Sequence, residues 1–373
     1  MDRVEKSPRV AGAELATDVP RGRGAGDRPR GTEGGASGRT KRRWVTAIAL
    51  GLWFGFATLC CGELVLRGAS RFGILVFDTE MWRYAREVKR PSTNHDVVLE
   101  HRPNVEATLM GVRMRTDAHG FRRAAPELEA VRTGNERIIA LVGDSCALGW
   151  GVPEGATLGE QLERTLNASQ PARNRVVVIN AGVGNSNTAM EYARYVEHVR
   201  PLHPVWVILG FFINDAEPDP SATSSPLLEH SVLLATLATR IPSLLFPARR
   251  DYRSYYGNLY APESAGLAKF RRALRAFGAS LREDGALGTV LLIPEMHEPR
   301  DFGPFANVYR QVAVLAAESG FDVIDPSAEF APGPSQTYWV TKADSHPNAE
   351  AHAILAAALA RSETARRLTQ PVS

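Results

Sequence analysis

The chain has 373 residues, with 44% hydrophobic and 23% charged, ordinary fractions for a globular protein with a sizeable core and room for one large or two small domains. Its formal charge of +3 is uneven: residues 1–43 hold 11 Lys/Arg against 6 Asp/Glu, leaving 33 against 35 in the remainder. The folded part is therefore slightly acidic, which excludes the global basic surface of a nucleic-acid binder, and its lone Cys146 excludes an internal disulfide framework there.

Residues 1–43 are rich in Gly, Arg, Pro and Ala and nearly devoid of aromatics, the composition of a disordered basic tail. An uncharged run follows from Trp44 to Gly62, containing the adjacent Cys60 and Cys61. As a helix this run is about 28 Å long, close to the hydrocarbon thickness of a bilayer. Arg39, Lys41, Arg42 and Arg43 precede it, which favours a cytoplasmic N-terminus, although Arg67 and Arg71 on the far side oppose that bias. A cleaved signal sequence fits less well, because the basic region before the run is long and no small-x-small site follows it. The expectation is a single-pass anchor over residues 44–66 in the cell membrane, with the rest of the chain periplasmic or extracellular.

Residues 67–136 read as a connecting or cap segment that ends in the turn-rich stretch Arg115-Thr-Asp-Ala-His-Gly-Phe-Arg122. From there to about residue 365 the pattern alternates. Strand-length apolar runs fall at Ile138–Val142, Val176–Ile179, Val205–Leu209, Val290–Ile293 and Val323–Ile324. Between them, residues 158–166, 266–283 and 306–318 have helical spacing; Leu158, Leu162 and Leu166 recur every fourth residue on one face. Strands alternating with helices imply crossover units and an α/β sandwich, with a parallel sheet of about five strands covered on both faces. Residues 216–262 interrupt this order, and their apolar stretch Leu227–Leu245, broken by Glu229, His230, Arg240 and Pro242, reads as an amphipathic insertion and not a second span.

Reactive residue types stand where ligands bind in such sheets, beyond the carboxyl ends of the strands. The first run continues into Gly143-Asp-Ser145-Cys-Ala-Leu-Gly149, where a serine at a sharp strand-to-helix turn has an exposed hydroxyl and outward-pointing amides. Ala147 breaks the order Gly-x-Ser-x-Gly, which disfavours the elbow of the α/β-hydrolases. The second run ends in the Gly/Asn-rich loop Asn180-Ala-Gly-Val-Gly-Asn-Ser-Asn-Thr188, able to bring backbone amides close to a substrate. The third ends at Asn214, whose carboxamide can donate to a developing oxyanion. Near the C-terminus, Asp344-Ser-His346-Pro precedes an alanine-rich helix; Pro347 suits the helix's first turn and leaves His346 on the loop before it. Asp344 is close enough to orient the imidazole while its other nitrogen faces Ser145. His352 reads as a packing residue and His297 as a pocket liner. No His or Cys pair with ligand spacing stands beside a carboxylate, so neither a metal nor a cofactor is expected. Each motif alone is also what an ordinary turn contains.

Together, in order and position, the four motifs resemble the SGNH (GDSL) hydrolase superfamily over roughly residues 137–362. The segment ending in Gly-Phe-Arg122 is similar to its membrane-attached bacterial branch. The resemblance implies a flavodoxin-like sheet, a triad of Ser145, His346 and Asp344, and an oxyanion hole formed by the Ser145 amide, a second-loop amide and Asn214. That second amide is Gly184 or Asn185, because the loop reads Val-Gly-Asn where the family often has Gly after a small residue. The family's last block is usually Asp-x-x-His, whereas here Asp344 precedes His346 by two and Ala343 fills the three-back place. The implied activity is that of a serine esterase on a small-molecule or carbohydrate ester, or on a lipid, with no nucleic-acid partner. An O-acetyltransferase of exopolysaccharide modification uses the same triad. A non-catalytic carbohydrate-binding protein is the third possibility, though it would be expected to carry a broken triad.

Overall fold

The computed structural model describes residues 34–74, 76–123, 136–168, 175–220, 226–245 and 251–369. Most of the expected basic tail lies outside these, as do two pieces of the expected insertion, 221–225 and 246–250.

The first element is a 38-residue helix, Gly34–Arg71. It outruns the apolar segment because nothing between Gly34 and Arg71 is a proline, so the polar flanks continue the same hydrogen-bond ladder. From Thr40 to Arg71 it is long and apolar enough to cross a membrane. Near its end Glu63 receives the N–H groups of Val232 (3.1 Å) and Leu233 (2.9 Å) and the Ser231 hydroxyl (2.9 Å). A carboxylate at a helix N-terminus satisfies orphan amides and opposes the positive end of the dipole. Here it starts the helix Val232–Leu245, which with the short helix Pro226–His230 occupies the apolar stretch of the expected insertion.

After a turn come the helix Phe77–Arg83, a π-helical turn Tyr84–Val88, and two small antiparallel pairs. Strand β1 (Lys89–Pro91) pairs with β2 (Leu99–His101), and β3 (Glu106–Leu109) with β4 (Val112–Arg115). The turn between β3 and β4 is Met110-Gly111, both at positive φ (51° and 74°), the two-residue hairpin geometry that suits strand twist. Single bridges at Thr116–Arg122 and Arg122–Asn180 then stitch this cap segment to the sheet.

The sheet contains β5 (Arg137–Gly143), β6 (Val176–Asn180), β7 (Trp206–Phe211), β8 (Leu287–Leu292) and β9 (Asp322–Ile324), in the spatial order β6-β5-β7-β8-β9 and parallel throughout. This is the flavodoxin-like order, whose switch point lies where β5 sits between β6 and β7. Successive residues of β5 serve opposite faces. Ile138, Ala140 and Val142 pack with Leu274, Phe277 and Tyr309 of the helices Ala265–Asp284 and Ala306–Glu318. Ile139 and Leu141 pack with Leu158, Leu162, Leu355 and Leu359 of the helices Leu158–Asn167 and Ala349–Ala360. Both faces of the sheet are covered, so its strands are apolar at nearly every position.

One feature differs from the sequence reading. Asp344 and His346 lie on a short strand, β11 (Asp344–Pro347), paired antiparallel with β10 (Trp339–Thr341), and not on a loop. Pro347 is not in the alanine-rich helix, which starts at Ala349 under an Asn348 cap whose side chain accepts the N–H groups of Glu350 and Ala351. Asparagine is among the strongest N-cap residues, and it sets the boundary in preference to the proline before it.

Gly278, in the middle of the helix Ala265–Asp284, permits a close approach: an added Cβ would stand 1.9 Å from the Ser319 carbonyl oxygen. Gly278→Ala is expected to destabilise the protein by about 1–3 kcal/mol through overpacking. Helix propensity alone would favour alanine by about 1 kcal/mol. Chemical denaturation of the two proteins checks the sign.

Candidate active site

Strand β5 delivers Ser145 through a turn that only a residue without a side chain allows. A Cβ on Gly143 would lie 2.6 Å from the Ala147 Cβ and 2.9 Å from the Gly210 oxygen. Asp144 caps the one-turn helix Ser145–Leu148 by accepting the Cys146 N–H at 2.8 Å. Gly149, at φ +84°, closes it. The carbonyls left open at that end meet the buried Arg122 guanidinium, which donates to Leu148 (3.1 Å), Gly149 and Val152 (2.6 Å), while its own N–H bonds the Asn180 carbonyl at 2.9 Å. A cation on the negative end of a helix is favourable. The Gly-Phe-Arg segment of the cap thus holds the Ser145 turn in place from behind.

The Ser145 Oγ lies 3.0 Å from His346 Nε2, and His346 Nδ1 lies 2.6 Å from Asp344 Oδ1. The same Asp344 oxygen accepts the His346 backbone N–H at 3.1 Å, and the other accepts Trp150 Nε1 at 2.9 Å. A separation of two places the acid and base on the same side of β11, so one carboxylate oxygen reaches both the backbone and the ring of His346. The Asp-x-His order therefore brings carboxylate and imidazole into direct hydrogen-bond contact. Burial works to raise the Asp344 carboxyl, but the hydrogen bonds it accepts from the His346 ring and backbone and from Trp150 outweigh it and hold the group below its ordinary value. An ionised Asp344 only accepts, so Nδ1 carries the imidazole proton and Nε2 accepts the serine hydroxyl. The rings of Phe77, from the cap, and Trp150 flank the imidazole at 6.3 and 6.4 Å between centroids.

Asn214 donates from Nδ2 to Asp144 Oδ2 at 3.0 Å, an oxygen that also lies 3.3 Å from the Ser145 hydroxyl. That contact fixes the orientation of the carboxamide, because a carboxylate requires its nitrogen. One Nδ2 hydrogen is held and the second remains for another acceptor.

The two amides left open in the second loop differ. The Gly184 N–H donates to the Tyr84 hydroxyl at 2.9 Å, and the Gly184 carbonyl accepts Lys89 Nζ at 3.2 Å. Tyr84 Oη also lies 2.7 Å from His101 Nε2, and His101 Nδ1 lies 3.1 Å from the Gly120 carbonyl. A carbonyl cannot donate, so Nδ1 bears the hydrogen, Nε2 accepts from Tyr84, and the tyrosine oxygen is left to accept from Gly184. Burial pushes the His101 imidazole down to about 3 and the Tyr84 hydroxyl well up, so both stay neutral. The Gly184 amide is thereby occupied. Asn185 sits at φ +64°, and its N–H, like that of Ser145, meets no acceptor among the described residues. The left-handed conformation explains why glycine is common at this place, and asparagine is among the few other residues that adopt it readily.

The sequence reading missed Tyr84, Lys89, His101, Arg122 and Trp150, which reach the site from the cap or from beyond the nucleophile turn. Gly-Phe-Arg122 was singled out, but only as a resemblance. His352 is fully buried and accepts the Leu158 N–H at 2.9 Å, closing the start of its helix. His297 pairs with Glu295 and packs on Trp339, with ring centroids 4.7 Å apart.

A flavodoxin-like sheet carrying a hydroxyl–imidazole–carboxylate chain beyond its strand ends defines a class, the SGNH-type hydrolases. The model of the GDSL-like lipase/acylhydrolase family matches residues 141–354, and the chain belongs to this family of ester-hydrolysing enzymes. An acetylxylan esterase from Geobacillus stearothermophilus is 18% identical, with 62% of this chain and 95% of that one covered and a TM-score of 0.42. A lipase/acylhydrolase from Enterococcus faecalis is 19% identical, with 62% and 96% covered and a TM-score of 0.40. None of the curated proteins matches the chain in sequence.

The buried histidines make a pH prediction. His101 and His352 are both held at about 3 by burial, against about 6.5 in an unfolded chain. Between those values the unfolded state binds more protons, so each group's contribution to stability falls as pH drops from 6.5 toward 3, by up to about 1.4 kcal/mol per pH unit. Proton NMR should find two imidazoles that do not titrate above pH 4, with the unfolding midpoint in denaturant falling over the same range. Nine histidines all titrating near 6–7 would contradict the burial described.

Proposed function

We propose that Ser145 is the nucleophile of a two-step acyl hydrolysis, with His346 as general base and then acid and Asp344 as the group that orients and charges it. The observation that carries this is the unbroken chain from Asp344 Oδ1 through His346 to Ser145 Oγ, at 2.6 and 3.0 Å. His346 Nε2 takes the serine proton as Oγ attacks the ester carbonyl, and returns it to the departing alcohol. Water, deprotonated by the same nitrogen, then releases the acyl group. The oxyanion of both tetrahedral intermediates is received by the N–H groups of Ser145 and Asn185 and the free Nδ2 hydrogen of Asn214. Gly184 is not a donor in this scheme, since Tyr84 holds its N–H; it is the residue through which the cap sets the loop.

The substrate class we infer is an O-acyl ester on envelope carbohydrate or lipid. Its support is topological. One helix is long and apolar enough to span a bilayer, and the basic cluster Arg39–Arg43 before it favours an N-terminus in the cytoplasm and a catalytic domain outside it.

Intact mass spectrometry after fluorophosphonate treatment tests the nucleophile: a single adduct is expected, absent in Ser145→Ala, and esterase activity of that variant should fall at least about 10³-fold. An adduct or full activity in Ser145→Ala would remove the assignment. Asn214→Ala should lower kcat by about 10²–10³-fold with little change in KM, the signature of an interaction made mainly in the transition state. Tyr84→Phe leaves the Gly184 N–H and His101 Nε2 unpartnered and should lower kcat about tenfold, whereas a loop indifferent to the cap would leave kcat unchanged.

A further inference from the structure

Beside the second loop lies a cavity of about 540 Å³ whose wall includes Asn185, Trp82, Leu228 and the cations Arg86, Lys89 and Arg102. Arg90, also on the wall, is neutralised by Glu100 at 2.7 Å. Arg86, Lys89 and Arg102 form no ion pair among the described residues, and Glu229 is the cavity's one acidic lining residue. Arg86 packs over the Trp82 ring, its guanidinium carbon 5.2 Å from the centroid, and Arg102 donates from Nε to the Lys89 carbonyl at 3.1 Å. Neither contact neutralises a charge.

Lys89 is the unusual member. It is only 6% exposed, yet its ammonium has one hydrogen-bond acceptor, the Gly184 carbonyl, and lies 4.7 Å from the centroid of the Tyr84 ring. An ammonium has three hydrogens to donate, and burying it without a counter-ion is unfavourable. Burial and the nearby Arg194 guanidinium lower it to about 8, so it still carries most of its charge at neutral pH. A buried cation with spare donors, opening on a cavity with two more unpaired cations, fits an anion that arrives with a ligand.

Its position relative to the reacting centre is set by covalent geometry. The Gly184 carbonyl and the Asn185 N–H belong to one peptide group, and in a trans peptide they point in opposite directions. Lys89 bonds the carbonyl side. If the N–H side receives the oxyanion, a group bound at Lys89 sits on the far side of that peptide from the ester under attack, beyond the 3.2 Å contact of the ammonium with the carbonyl. That is the place of a substituent on the substrate and not of the ester itself.

We propose that this cavity is an acid-binding subsite: the ester processed at Ser145 carries a carboxylate or phosphate that Lys89 holds, with Arg86 and Arg102 completing the cationic wall. The proposal rests on the reading of Ser145 and Asn185 given above. It narrows the substrate to an anionic ester, such as an acyl group on an acidic saccharide or on an anionic lipid. Bonding of Lys89 to the Gly184 carbonyl also polarises the same peptide's N–H, so the subsite and the oxyanion donor share one group.

The test measures the rate of fluorophosphonate labelling of Ser145 in the full-length protein in neutral detergent at low salt. Labelling is followed in the presence of trigalacturonate or maltotriose, and of short-chain phosphatidylglycerol or phosphatidylcholine. At least one of the two acidic ligands should slow labelling fivefold or more at concentrations where its neutral or zwitterionic counterpart does not, with added salt reversing the effect. Which of the two protects identifies the saccharide or the lipid as source of the anion. The double variant Arg86→Gln/Arg102→Gln, both exposed positions, should lose the protection, each rate with ligand being divided by that variant's own rate without it, and so should Lys89→Met. Equal effects of acidic and neutral ligands, or protection that survives in the double variant, would overturn the subsite. Absence of labelling before any ligand is added would instead remove the nucleophile assignment, and the subsite with it.

Discussion

The Asp144 carboxylate has no exposed surface and is held by two donors, the Cys146 N–H and the Asn214 carboxamide, with the Ser145 hydroxyl oxygen 3.3 Å away. Burial works to raise it, and those hydrogen bonds oppose the rise without cancelling it. Through this one side chain the turn after β5 and the end of β7 are joined. Loss of the carboxylate would uncap the helix Ser145–Leu148 and release the Asn214 amide together, because both depend on the same acceptor. Burial pushes the Glu191 and Asp215 carboxyls well up, and the Asp144 charge raises both further.

The cap contributes a second set of constraints. Tyr84 and Lys89 grip one residue of the second loop, Gly184, by its N–H and its carbonyl, and His101 fixes the tyrosine by accepting its hydroxyl hydrogen. Arg122 binds the carbonyls at the far end of the Ser145 turn. The segment that leads from the apolar helix to the sheet therefore shapes two of the loops at the strand ends. An added side chain at Gly184 would meet the Tyr84 ring at 2.8 Å, so the close approach is built into the sequence of both partners.

How much of this could be read in advance depended on sequence distance. The sheet was legible because each strand is an uninterrupted apolar run, and the helices because leucines such as Leu158, Leu162 and Leu166 repeat at helical spacing. Ser145, Asn214 and His346 could be singled out as candidates because each stands beside a recognisable element. The contacts of Tyr84 with Gly184 and of Trp150 with Asp344 were not, since they join residues 100 and 194 positions apart with no local pattern at either end. The choice between Gly184 and Asn185 could not be made from the loop's own letters, because it turns on which amide the cap occupies. The β10–β11 pair was missed for a different reason: its strands of three and four residues are too short to show periodicity, and Pro347 read as a helix start.

The central claim is that the cap holds the Gly184 amide away from the reaction and leaves Asn185 to meet the oxyanion. A crystal structure of the phosphonylated protein tests it most directly, since the phosphoryl oxygen occupies the oxyanion's place. The expected result is that oxygen within hydrogen-bond distance of the N–H groups of Ser145 and Asn185 and of Asn214 Nδ2, with the Tyr84–Gly184 bond intact. A phosphoryl oxygen bound by the Gly184 N–H, with Tyr84 displaced, would contradict it.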